Sequence, residues 1–123
     1  MDDRGSISLE FTLVFAALLT LILVVFQVAV YQHAQHVALA AAQEGARTAR
    51  AHAGTVASGQ ASAQSYLDAL APNLITGKKV TVTRTATLAS VRVTGAVQPV
   101  LPFFAWTVDE QASGPVERFV VAP

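Results

Sequence analysis

Residues 5–31 read GSISLEFTLVFAALLTLILVVFQVAVY, and the longer part of that stretch decides the architecture. From Phe11 to Tyr31 run 21 residues interrupted only by Thr12, Thr20 and Gln27. At ~1.5 Å per residue a helix of that length reaches about 31 Å, which matches a hydrocarbon core of roughly 30 Å. Threonine hydroxyls bond back to carbonyls of their own helix, so Thr12 and Thr20 cost little in lipid. Gln27, near the far end, is the one real polar intrusion. The segment is predicted to be a transmembrane helix. The charge pattern agrees, because no Asp, Glu, Lys or Arg lies between Glu10 and Glu44 while both flanks carry them.

Working outward, the helix has no reason to stop at the membrane. No proline occurs before Pro72, and no glycine between Gly5 and Gly45. The stretch QHAQHVALAAAQEGARTARAHA (32–53) is rich in alanine, the strongest helix former. One helix from about Ser6 to about Ala53 is expected, roughly 70 Å long. Ala34, Ala38, Ala42, Gly45 and Ala49 recur three or four apart and line one face. Such a stripe admits the close approach of another helix, and alanine's own helix propensity accounts for it equally well.

The 123 residues suffice for one small domain besides the helix. Hydrophobic residues make up 53% and charged residues 13%, low for a water-soluble domain. Eight basic residues balance eight acidic ones without a Lys/Arg cluster, so a nucleic-acid footprint is absent. There is no cysteine to form a disulfide framework or a thiolate metal site. A small domain without a staple is expected to lean on its anchor or on neighbouring subunits.

Glu10 is the informative residue. An acid inside an apolar segment costs up to ~3 kcal/mol toward the helix centre, less near an end, and asks for a partner. Upstream lie Arg4, Gly5 and Ser6. A cut after Gly5 would expose a new amine on Ser6, mostly positive near neutral pH, with Glu10 as the fifth residue of the mature chain. Amine and carboxylate at that depth can compensate each other within one chain or between adjacent ones.

Glycine, a small residue, Glu five positions past the cut and a long apolar helix resemble the class III signal of type IV prepilins. The run Ala41-Ala42-Gln43-Glu44-Gly45-Ala46-Arg47 resembles the Ala-Ala-x-Glu-Gly-Ala-Arg signature of TadE-like proteins, pseudopilins or minor pilins of Tad (Flp) pilus systems. The opening RGSISLEFTLVF is similar to that family's opening, with Leu9 where Val is commoner. The resemblance covers Arg4 to about Arg50; the tail from Ala112 to Phe119 is only loosely similar. It implies cleavage between Gly5 and Ser6 by a prepilin peptidase, with residues 1–5 as leader. It implies that Glu10 attracts the amine of a neighbouring subunit, and that the Glu44, Gly45 and Arg47 region takes part in helix docking. It further implies a single-pass protein of the cytoplasmic membrane, its N-terminus cytoplasmic and its outer domain extracytoplasmic. The implied partners are the peptidase, other pilin subunits, the assembly platform and the lipid bilayer. A border residue snorkelling to the interface is the plain alternative for Glu10, and an ordinary surface pair for Glu44 and Arg47.

Beyond Ala53, residues 54–60 read as a flexible linker and 61–123 as a small α+β domain. A short helix is expected over Ser62–Ala71, ended by Pro72. Strands with period-two alternation are expected over Lys79–Thr87 and Ala89–Val93, with Gly95 marking a bulge or turn. A proline-flanked apolar loop spans Pro99–Trp106, and a last strand is expected near Val116–Val121. Phe103, Phe104 and Trp106 are expected to cap the small core, with an exposed patch for a partner subunit as the alternative. The fold class is thus α+β: a long N-terminal transmembrane helix, a short helix and antiparallel strands.

His33 and His36 stand three apart with His52 further on, but no acid lies one turn away, so no metal site or cofactor is expected. No phosphate loop, nucleophile elbow or paired catalytic carboxylates occur, and the chain is read as a non-enzyme. Two other readings stay open: a membrane-anchored adaptor or sensor, and a secreted domain behind an ordinary signal peptide cut near Ala38-Leu39-Ala40.

Overall fold

The computed structural model describes residues 3–101 and 105–117. It contains α1 (Asp3–Arg50), α2 (Val56–Leu70) and three strands, β1 (Ile75–Arg84), β2 (Leu88–Val97) and β3 (Thr107–Pro115). The strands form an antiparallel meander in the order β1-β2-β3. The α+β architecture is therefore the expected one.

Helix α1 has two halves of different character. From Ile7 to Phe26 the large apolar side chains are exposed, among them Phe11, Leu13, Phe15, Leu18, Leu21 and Val25, with Leu23 and Val24 partly so. Thr12 and Thr20 donate their hydroxyls to the carbonyls of Ser8 and Ala16 at 2.9 and 2.8 Å, which removes their polarity from the surroundings. Gln27 is the first buried residue along the helix. Beyond it Ala34, Val37, Ala38, Ala41, Ala42, Ala46 and Ala49 are buried at helical spacing. The stripe of small residues is thus filled by the chain itself.

Helix α2 fills part of it. It begins at Val56, so residues 56–60, expected as linker, are its first turns. The cause is a capping box: the Thr55 hydroxyl accepts from Ser58 N at 3.0 Å, and Ser58 Oγ accepts from Thr55 N at 2.8 Å. Gly45 and Gly59 meet where α1 and α2 pack. A Cβ at Gly45 would stand 2.9 Å from Ala63 Cβ, and one at Gly59 2.8 Å from Ala49 Cβ. Only glycine lets the two backbones approach this closely.

The sheet covers α1 and α2 with Ile75, Val80, Val91, Val93, Val97 and Val108, which join Leu67 and the alanines in one core. The opposite face carries Thr81, Thr83, Arg92 and Gln111 toward solvent. There Arg92 Nε donates to Asp109 Oδ1 at 2.7 Å, and a second bond joins its terminal nitrogen to Oδ2.

β1 starts at Ile75, four residues before the expected Lys79. Gly77 (φ 60) and Lys78 stand opposite Gly95 alone, a bulge that breaks the alternation the eye follows. The β1–β2 turn lacks a glycine pair because Thr85 Oγ1 accepts from Leu88 N at 3.0 Å and Thr85 N donates to Leu88 O at 2.7 Å. The third strand is Thr107–Pro115, not Val116–Val121. Val116 and Glu117 follow it without strand structure, and 118–121 lie outside the described residues. Phe103 and Phe104 also lie outside them; Trp106 packs against the core, as expected.

Candidate functional site

The N-terminal part of α1 presents the residues singled out for processing. Gly5 is exposed, and a Cβ built on it meets nothing within 4 Å. Among the described residues no packing requires glycine there. Glycine and serine are both weak helix formers, so Gly5-Ser6 is an easily unwound place in the first turns. Glu10 follows Ser6 by one turn, about 6 Å along the axis, and is exposed among apolar neighbours. Among the described residues no cation is in ion-pair contact with it. The arrangement is an uncompensated carboxylate at one end of a bare apolar cylinder.

Glu44 and Arg47 pair on the helix surface, with Arg47 Nη2 donating to Glu44 Oε1 at 2.6 Å and Oε2 at 2.8 Å. Arg47 faces outward, Glu44 is half-buried beside Ser62, Ser65 and Tyr66 of α2, and Gly45 faces inward onto α2. Exposed pairs at this spacing contribute a few tenths of a kcal/mol, about 0.2–0.5. His33 and His36 are exposed on α1, and no group of three or more potential metal-ligating side chains occurs among the described residues.

Ala38 is fully buried inside continuous helix. A cut near Ala38-Leu39-Ala40 would remove Ala34, Val37 and Ala38 from the core. Cleavage after Gly5 removes nothing from it.

Two features escaped the sequence. Gln27 Oε1 accepts from Val100 N at 2.7 Å and Leu101 N at 3.1 Å, clasping the loop after β2 to α1. The polar residue in an apolar run was its signal, but the partners lie 73 and 74 positions away. The far end of α1 is also held: Arg84 Nε donates to Ala49 O at 2.8 Å, and Glu117 N to Arg50 O at 2.8 Å. Arg50 Nε in turn donates to Pro115 O at 2.9 Å.

Comparison with known proteins bears on this end of the chain. The family model of TadE-like proteins matches residues 5–47, and over that segment the chain is similar to TadE-like proteins. No curated protein and no solved structure matches the chain.

Proposed function

We propose that the chain is a pseudopilin or minor pilin: a structural, non-enzymatic component of a Tad-type pilus, anchored by α1 in the cytoplasmic membrane. The observation that carries this reading is that one TadE-like segment, residues 5–47, holds Gly5, Ser6, Glu10 and the exposed apolar half of α1. A prepilin peptidase cuts between Gly5 and Ser6 on the cytoplasmic side. Proteolysis of a helix needs local unwinding, and Gly5-Ser6 offers it at low cost. Gly5 leaves room for a crowded active site, and among the described residues nothing else needs it to be glycine.

Once the leader is gone, the Ser6 amine and the Glu10 carboxylate lie one turn apart near the end of the apolar stretch. An amine of a neighbouring subunit that neutralises Glu10 removes the cost of an acid in lipid, up to ~3 kcal/mol at the helix centre and less near an end. Neutralisation in register makes Glu10 a guide for subunit entry into an assembly. The domain from Gln27 onward then stands outside the membrane for contact with other subunits.

The test is the mass and N-terminal sequence of the full-length product from membranes of a host with an active Tad peptidase. Loss of residues 1–5, blocked by Gly5→Leu, supports the reading. An intact N-terminus overturns it and leaves a plain membrane-anchored domain. Glu10→Gln should be processed normally yet fail to enter the assembly, as read by co-purification with other pilins.

A further inference from the structure

We infer that Gln27, Tyr31, Val100, Leu101 and Trp106 form a collar that seats the outer domain on the lipid surface where α1 leaves the bilayer. The inference rests on the membrane reading of α1 and adds where the bilayer ends and what the domain does there.

The bare part of α1 sets the position. Large apolar side chains are exposed or partly exposed from Ile7 to Phe26, and from Gln27 on one face of the helix is buried by the rest of the chain. Twenty helical residues rise about 30 Å, the whole hydrocarbon thickness. Gln27 therefore marks the edge of the hydrocarbon, and Tyr31, one turn on, stands about 6 Å beyond it. That height is the interfacial layer, where aromatic rings with one polar end collect.

The side chains at that height suit a lipid–water boundary. Tyr31 and Trp106 rings meet edge to face with centroids 4.9 Å apart. The Tyr31 hydroxyl accepts from Gln35 Nε2 at 3.1 Å, so its polar tip points up the helix, away from the apolar half. Val100 is exposed and Leu101 partly so, both fixed to Gln27 through their amides. Trp106 is fixed as well, its carbonyl accepting from Val97 N at 2.8 Å. The sequence carries no ionisable residue between Arg92 and Asp109. The patch is continuous with the exposed apolar helix below it, which points to lipid as its occupant.

Trp106 is the single tryptophan of the chain, which makes the test direct. The full chain is reconstituted in phosphatidylcholine vesicles bearing a nitroxide at a shallow or a deep acyl position, with iodide as aqueous quencher. A Leu19→Trp reporter in a Trp106→Phe background monitors insertion of α1. Trp106 should be quenched at least twofold more by the shallow label than by the deep one, and the Leu19→Trp reporter by the deep label. Gln27→Leu, which unfastens the loop, should at least double iodide quenching of Trp106. Trp106 open to iodide and untouched by either lipid label, with the Leu19→Trp reporter still deep, overturns the collar and spares the membrane anchor. Trp106 shielded from iodide and from both labels also overturns it, since a second protein copy then covers the patch. A Leu19→Trp reporter unquenched by lipid overturns the membrane reading and the collar with it.

Discussion

Gln27 is buried to 1% yet supplies a single acceptor oxygen to two backbone donors, Val100 N and Leu101 N. Its Nε2 has no partner among the described residues. The glutamine persists because the loop amides need an acceptor. Gln27→Leu leaves both amides without one, and an unsatisfied buried donor costs ~1–3 kcal/mol. The expected outcome is a lower unfolding midpoint for the outer domain and faster hydrogen exchange at Val100 and Leu101, with α1 still helical by circular dichroism. A second residue-scale prediction concerns Asp109. The hydrogen bonds from Arg92, helped by its charge, hold the Asp109 carboxyl below the usual aspartate range against an opposing effect of desolvation. A depressed folded-state value adds stability above the ordinary value near 4, and that stability is lost as pH falls through the lower, folded one. Acid titration of the unfolding midpoint should therefore be less steep in Asp109→Asn than in the parent, most visibly below about pH 4. The pair lies on the exposed face of the sheet, so the difference is small.

At the scale of elements, the last turn of α1 shows how a long helix is brought to an end. Its final carbonyls at Ala49 and Arg50 accept from Arg84 Nε and Glu117 N. Arg84→Met keeps the stem and removes the donor, and should lower stability by about 1 kcal/mol in denaturant melts. Where α1 meets α2, Gly45→Val drives a side chain into Ala63, Gly59 and Val91 and should cost about 1–3 kcal/mol. The same elements show what the sequence disclosed. Both halves of α1 are written locally, in hydropathy and in alanine content, so its existence was readable to within three residues at each end. The small-residue stripe was readable as a close-packing face, but not that α2 of the same chain packs there, because that contact lies in the Gly45–Gly59 pair. Helix α2 was placed too late because its start depends on Ser58 acting where Glu or Gln is the familiar signal. β3 has little apolar alternation to read, because its inward face carries one buried valine, Val108, followed by the half-buried Glu110 and Ala112. Gly5, Ser6 and Glu10 stand out in the sequence because spacing along one helix is local; the clasp at Gln27 does not, because its partners lie 73 and 74 positions away.

Over the whole molecule the two functions of α1 divide at one residue. Below Gln27 the helix contributes no buried apolar residue to the core, and above it seven do, from Ala34 to Ala49. An exposed apolar cylinder is unfavourable in water at roughly 25 cal/mol per Å² and neutral in lipid, so the lower half affects solubility without affecting folding of the rest. A chain beginning at Val25 should then be soluble and fold cooperatively, with a midpoint close to that of the full chain in detergent. A chain beginning at Ala41 loses Ala34, Val37 and Ala38 along with the Tyr31 ring that packs on Trp106. Removing a helix face from a core this small takes away several kcal/mol, at roughly 25 cal/mol per Å² of apolar surface that it covers, against a usual total of only ~5–15. It should not fold, as judged by a flat thermal melt and poor dispersion of amide resonances. If the chain from Ala41 melts cooperatively, the upper half of α1 is not the spine of the domain. If the chain from Val25 fails to fold, the division at Gln27 is wrong.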